Sequence, residues 1–70
     1  MTERKVFQSS MIQEGSYDSD TQTLEVTFTN GVTYAAEEVP ASAWEGLKHA
    51  SSPGRYYHQA LGPLFNFQRT

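Results

Sequence analysis

Residues 23–29, TLEVTFT, place Leu24, Val26 and Phe28 in alternation with Glu25 and Thr27, and Asn30-Gly31 follows directly. A period of two is that of a strand with one buried and one solvated face. Asn-Gly accepts the positive φ values of a tight hairpin turn, so the chain is expected to return at once as a second strand through VTYAAE, residues 32–37. A two-residue loop sets Phe28 opposite Thr33 and Val26 opposite Ala35. Val32 and Tyr34 then lie on the face away from Leu24, Val26 and Phe28, and a bulge reverses that assignment.

The rest of the chain is read outward from this hairpin. Residues 1–8 are expected to be a flexible N-terminus, with one domain over 9–70. Residues 9–17, SSMIQEGSY, make a first strand weakened by Gly15, and YDSDTQT has the chemistry of a turn. Val39-Pro40 ends the hairpin. Ser42 and Glu45 have capping-box spacing, so a short helix is expected to about Ala50, with Trp44 and Leu47 on one stripe. Ser52 as cap and Pro53 at the first helical position open a second helix, which Gly62-Pro63 closes. LFNF, residues 64–67, alternates again and adds a last short strand. The expected fold is α+β: a small antiparallel sheet of three or four strands and two short helices.

A chain of 70 residues buries only about 60% of the surface its unfolded form exposes, so a single core is marginal. The sequence has no cysteine, which removes disulfides and thiolate metal sites. His49 and His58 match no zinc spacing, and neither a metal nor a cofactor is expected. Self-association is the remaining common device, so a homo-oligomer is expected. Nothing in the sequence has the length and apolarity of a signal peptide or a membrane span, and the cytoplasm is the expected location. A net charge of −3 and a pI near 5.1 argue against a protein that tracks long nucleic acid through backbone charge.

The stretch SSPGRYY, residues 51–57, is the main candidate site. A helix start offers unpaired N–H groups to an anion, with Ser52 and Ser51 adding hydroxyls, Gly54 opening the backbone and Arg55 bringing a positive charge. Tyr56 and Tyr57 are placed to stack a base. The plainer alternative is that Ser52 caps, Pro53 and Gly54 shape a turn, and one tyrosine is core. Tyr34 is either a stacking platform or a strand aromatic buried against a neighbouring subunit. Trp44 is read as core or interface, Glu37-Glu38 as a solvated strand end, and the two histidines as surface residues. Catalysis has little support: Ser52 has no evident base, and Asp18-x-Asp20 lacks the Gly and distal Glu of a calcium loop.

The order of landmarks resembles the KTSC domain, a small module named for its place at the C-terminus of some lysyl-tRNA synthetases. The matching residues are Ser9-Ser10 with Ile12, Tyr17-Asp18, Leu24-Glu25-Val26 with Phe28, Gly31 and Tyr34. They continue with Val39-Pro40, Leu47, Ala50, Ser52 with Gly54, and Tyr56. Two positions depart: the family's Tyr-x-Tyr reads Tyr34-Ala35-Ala36, and its Val-Gly before Tyr-Asp is Gly15-Ser16.

The resemblance implies an RNA-binding role for synthetase-linked members, whereas other members stand alone in bacteria and phages. The leading expectation is a non-enzymatic, oligomeric binding protein for a small phosphate-bearing nucleotide. Its most concrete form is a phage-type sponge for cyclic nucleotide immune signals in an infected bacterium. An RNA-binding module and a protein-interaction domain are the alternatives.

Overall fold

The computed structural model describes all 70 residues. Five strands run β1 (Thr2–Val6), β2 (Ile12–Asp18), β3 (Thr23–Phe28), β4 (Thr33–Ala36) and β5 (Gln68–Arg69). They pair antiparallel in sequence order as a meander. Between β4 and β5 lie helix α1 (Ala41–His49) and helix α2 (Pro53–Tyr56), which runs on as a π-helical turn over Tyr57–Leu61. The α+β class is as the sequence indicates, with a five-stranded sheet.

The three central strands turn one side to the helices. In β3, Leu24 and Val26 are fully buried while Glu25 is exposed. In β2 the alternation breaks, because Ile12 pairs with Phe28 and Glu14 with Thr27, leaving Gln13 as the extra residue of a bulge. The bulge carries Ile12 to the same side as Gly15 and Tyr17, and all three are buried. The opposite face is polar, with Arg4 hydrogen-bonded to Glu14 and Thr27 to Thr33.

The hairpin differs from its expected register. Phe28 N–H donates to Val32 C=O and Gly31 N–H to Phe28 C=O, and Val26 faces Tyr34. The loop therefore has three residues, Thr29 to Gly31, with Gly31 at φ 89°, the αL residue of a bulged turn. This one-residue change brings Tyr34 to the face of Leu24, Val26 and Phe28, where the two-residue loop had excluded it.

Three further expectations give way. Residues 2–6 form a strand rather than a frayed end. Helix α1 starts at Ala41 behind Pro40, with no side-chain cap. Ser42 thus sits inside the first turn, and Glu45 pairs with Lys48 at 2.8 Å instead. The last strand falls on Gln68–Arg69, beyond LFNF.

Glycines set how closely the helices approach. Trp44 stacks on Tyr17, with ring centroids 6.0 Å apart, and a Cβ on Gly15 would lie 3.1 Å from Trp44 Cζ3. The Trp44 indole N–H donates to Glu3 at 3.0 Å, which ties β1 to α1. A Cβ on Gly46 would fall 2.0 Å from the Tyr56 hydroxyl oxygen. Gly46 costs α1 about 1 kcal/mol of helix propensity, and that cost is what lets α2 cross there.

Candidate functional site: an aromatic groove at the hairpin end

Three segments meet at the hairpin end of the sheet. In the β1–β2 connection, Ser9 Oγ accepts the N–H of Met11 at 3.1 Å and of Ile12 at 3.3 Å. That turn fixes Met11 at its crest. The hairpin loop is tied to the same crest: Thr29 N–H donates to Met11 C=O at 2.9 Å, and Thr29 Oγ1 donates to Ser10 C=O at 3.2 Å. Asn30 Oδ1 accepts the Val32 N–H at 3.0 Å and holds the loop closed. The π-helical turn after α2 supplies the third wall.

Between them lies a groove of about 590 Å³ lined by Ser10, Met11, Phe28, Thr29, Asn30, Tyr34, Tyr57 and His58. The volume is in the range of small-molecule sites. Its floor is a set of edge-on aromatic contacts centred on Phe28, which meets Tyr34 at 5.7 Å and Tyr57 at 5.1 Å. Tyr57 also meets His58 at 5.6 Å and Phe67 at 5.0 Å, so the C-terminal segment buttresses it from behind.

Tyr34 and Tyr57 make no side-chain hydrogen bond within the chain, whereas the hydroxyl of Tyr17, in the core, donates to Val39 C=O. Burial, and then the neighbouring Tyr34 phenol, push the Tyr57 hydroxyl above its ordinary pKa of 10.0. The Tyr57 phenol therefore remains a neutral donor at physiological pH. The groove offers aromatic faces, two phenol groups, the Asn30 amide, the hydroxyls of Ser10 and Thr29 and an imidazole. No Lys or Arg lines it.

The residues expected from the sequence divide. Tyr34 and Tyr57 come together in the groove. Ser52, Gly54, Arg55 and Tyr56 lie outside it. Gly54 is buried, and a Cβ there would meet Met11 Sδ at 2.9 Å, so its bare backbone accommodates a neighbour rather than a ligand. Tyr56 packs against Gly46. Ser52 precedes the short α2 without a side-chain cap, and Arg55 is exposed. The sequence reading missed Ser10, Met11, Phe28, Thr29, Asn30 and His58 as groove residues. For Phe28, Thr29 and Asn30 the signal was the three-residue loop, which folds Thr29-Asn30 over the side that carries Phe28 and Tyr34.

No group of three or more His, Cys, Asp or Glu side chains converges to hold a metal, and no helix is long and apolar enough to cross a membrane.

The family model of the KTSC domain matches residues 8–65. The chain belongs to the KTSC domain family. A solved structure, the KTSC domain protein of Yersinia pestis, superposes with a TM-score of 0.89 at 30% identity. The match covers all of this chain and 99% of that one. Among sequences, the lysine–tRNA ligase of Trichormus variabilis is 36% identical over 62 residues, or 89% of this chain. The KTSC chain spans only about a tenth of that ligase, 11% of its length. A protein of Stutzerimonas stutzeri is 38% identical over 60 residues, which is 84% of its length. The domain thus occurs both as a small part of a much larger enzyme and as nearly the whole of a small protein.

Several family-matching residues have structural work in this chain. Ser9 sets the Met11 turn, the Tyr17 hydroxyl reaches Val39 C=O, and Gly54 admits Met11. Phe28 and Tyr34 are family-matching aromatics that also line the groove. At the second aromatic position of the family's Tyr-x-Tyr, Ala36 is buried in the core.

Proposed function

We propose that this KTSC domain is a non-enzymatic binding module that seats one nucleobase in the groove between Tyr34 and Tyr57. The observation that carries the reading is the pair of phenols without protein partners on an aromatic floor, beneath the polar rim of Ser10, Thr29 and Asn30. A base has two π-faces and a hydrogen-bonding edge. Stacking on an aromatic contributes about 1–3 kcal/mol per base, and the Asn30 amide and the phenols suit the edge. A groove without a cation suits a base better than a phosphate.

The ligand is most simply an unpaired base of RNA. The lysine–tRNA ligase relatives favour this source, and sequence-specific RNA recognition works mainly on bases splayed from single strands. With a net charge of −3, affinity is expected to come from stacking and to fall only gently with salt.

The finer expectation, an oligomeric sponge for a cyclic nucleotide, uses the same groove for the base. Because Arg55 stands outside the groove, that reading requires a second subunit to bring a cation to the phosphate. Either ligand is found in the cytoplasm, which is also the location expected from the sequence.

Calorimetric titration with short single-stranded RNAs, mononucleotides and cyclic dinucleotides tests the reading. Micromolar binding of an RNA, with perturbation of Tyr34 and Tyr57 resonances, is the expected result. Preference for a cyclic dinucleotide would transfer the groove to the sponge reading. Absence of binding to all three classes would overturn the base site itself.

A further inference from the structure

Strand β1 is an open edge of the sheet, and the ladder on its inner side determines what that edge presents. Phe7 N–H donates to Gln13 C=O and Ser19 N–H to Met1 C=O, both at 3.0 Å. The register places Glu3 opposite Tyr17 and Lys5 opposite Gly15. In an antiparallel pair, residues that exchange both backbone bonds with the neighbour alternate with residues that exchange none. Residues 1, 3, 5 and 7 therefore bond to β2. Thr2, Arg4 and Val6 turn their N–H and C=O groups outward, where the sheet has no further strand.

Natural edges are usually blunted by charge, proline or a bulge. Here the blunting rests on Glu3, Arg4 and Lys5 alone, with no proline and no bulge in the strand. All five residues of β1 are exposed, Val6 at 73%. Arg4 is folded back across the outer face in a two-bond ion pair with Glu14, at 2.9 and 3.1 Å. Lys5 leans over the Phe7 ring at 5.7 Å.

We infer that β1 is the interface of a two-fold homodimer, in which the β1 strands of two copies pair antiparallel about Arg4 and join two five-stranded sheets into one. Pairing Arg4 with Arg4 of the partner subunit sets Thr2 against the partner's Val6, and every outward N–H and C=O of β1 then has a complement. Arg4 meets its own copy at the axis of this register, each already neutralised by its own Glu14, and the flanking charges favour the pairing. It sets Glu3 opposite the partner's Lys5, and Lys5 opposite the partner's Glu3. A slip of two residues one way opposes Glu3 with its own copy, and a slip the other way opposes Lys5 with its own copy. Like charges placed directly opposite each other destabilise a strand pair.

The contact also balances a local excess. Glu3 and Glu45 share Lys48, at 2.7 and 2.8 Å, with His49 also 3.3 Å from Glu45, and the partner's Lys5 supplies a further cation to Glu3. A symmetric interface of this kind closes on itself and stops at two copies.

Sedimentation equilibrium of the full chain over a wide concentration range, with two substitutions, tests the inference. Arg4→Pro removes an N–H that points away from the protein's own ladder, so the β1–β2 backbone bonds are kept while the central bonds of the interface are lost. Association is expected to weaken at least about 100-fold. Lys5→Glu turns both cross-strand attractions into repulsions and is expected to weaken association about tenfold. Circular dichroism checks that each variant folds. Should Arg4→Pro unfold, Lys5→Glu and the wild-type amide exchange carry the test: the Arg4 and Val6 amides gain protection as concentration rises. A wild-type chain that stays monomeric at millimolar concentration overturns the inference. So does a dimer indifferent to both substitutions, or one whose Arg4 and Val6 amides exchange freely.

Discussion

The two ends of the sheet are built on opposite rules. At the helix-crossing end, Trp44 lies on Tyr17 and Gly15, Gly46 receives Tyr56, and the Tyr17 hydroxyl and Trp44 N–H each have a named acceptor. At the hairpin end, aromatic rings meet edge to face around Phe28, and two phenols reach a groove without a protein partner. Both ends are aromatic, so composition does not separate them. Satisfaction of polar groups and tightness of approach do. Where the buried donors are used and a methyl group has no room, the residues hold the fold. Where donors are left over beside open space, they are available to a ligand.

The contrast breaks most visibly at Trp44. Trp44→Ala removes a fully buried indole and is expected to cost about 3–5 kcal/mol, which is close to the whole stability of a domain this small. Urea denaturation should show a largely unfolded variant in dilute buffer. Gly46→Ala comes next. Its Cβ overlaps the Tyr56 hydroxyl, and the overpacking is expected to destabilise by about 1–3 kcal/mol despite the gain in helix propensity. The double variant Gly46→Ala with Tyr56→Ala should be less destabilised than the sum of the two single changes, because the same clash is removed.

At the other end, Tyr34→Ala is expected to cost under about 1 kcal/mol of stability, since Tyr34 is only half-buried. It should nevertheless lose the stacking contribution to a bound base. Substitution of Tyr34 should therefore separate binding from stability, whereas substitution of Tyr57, a groove residue that is also core, should not.

The smallest effect is electrostatic and lies at the packed end. Hydrogen bonding to Lys48, and then to Trp44, holds the Glu3 carboxyl below its ordinary pKa of 4.5. Hydrogen bonding to Lys48 likewise lowers Glu45, and the two carboxylates raise Lys48 above 10.5. The carboxylates bind fewer protons in the folded chain, so their contribution is present above about pH 4.5 and is lost as pH falls through their lowered pKa values. The Lys48 contribution is present below about pH 10.5 and is lost as pH rises through its raised value. All three groups are in contact with solvent, so the changes in Tm are expected to be slight. Lys48→Met should flatten both flanks of the Tm–pH curve. An unchanged curve would show that the cluster contributes nothing.

How much of this was legible in the sequence depended on whether a local pattern had one structural meaning. The alternation of Leu24, Val26 and Phe28 had one, and the β3–β4 hairpin follows from it. Asn30-Gly31 had two, because Gly31 at positive φ serves a two-residue turn and a bulged three-residue turn alike. Only the Phe28–Val32 pairing decides between them, and with it the face of Tyr34. β1 carries no buried alternation to read. It is held by backbone bonds to β2 and by the Glu3–Trp44 contact, across 41 positions of sequence.

Tyr57 was legible as a candidate and His58 was not. The π-helical turn changes the helical period at Tyr57, and a widened turn of that kind has no reliable sequence signal. SSPGRYY was legible as a helix start, but the crossing with α1 directs Tyr56 to Gly46 and leaves Arg55 exposed, away from the groove.

The central claim is that Tyr34 forms, against the core residue Tyr57, a base-binding groove whose Tyr34 wall is separable from the core. Its most direct test is calorimetric titration of the same single-stranded RNA into the wild-type chain and Tyr34→Ala, with denaturant curves measured in parallel. The account predicts that affinity falls about 5- to 150-fold, the equivalent of one lost base stack, while stability changes by less than about 1 kcal/mol. Equal affinities in the two proteins, with both folds intact, would contradict it.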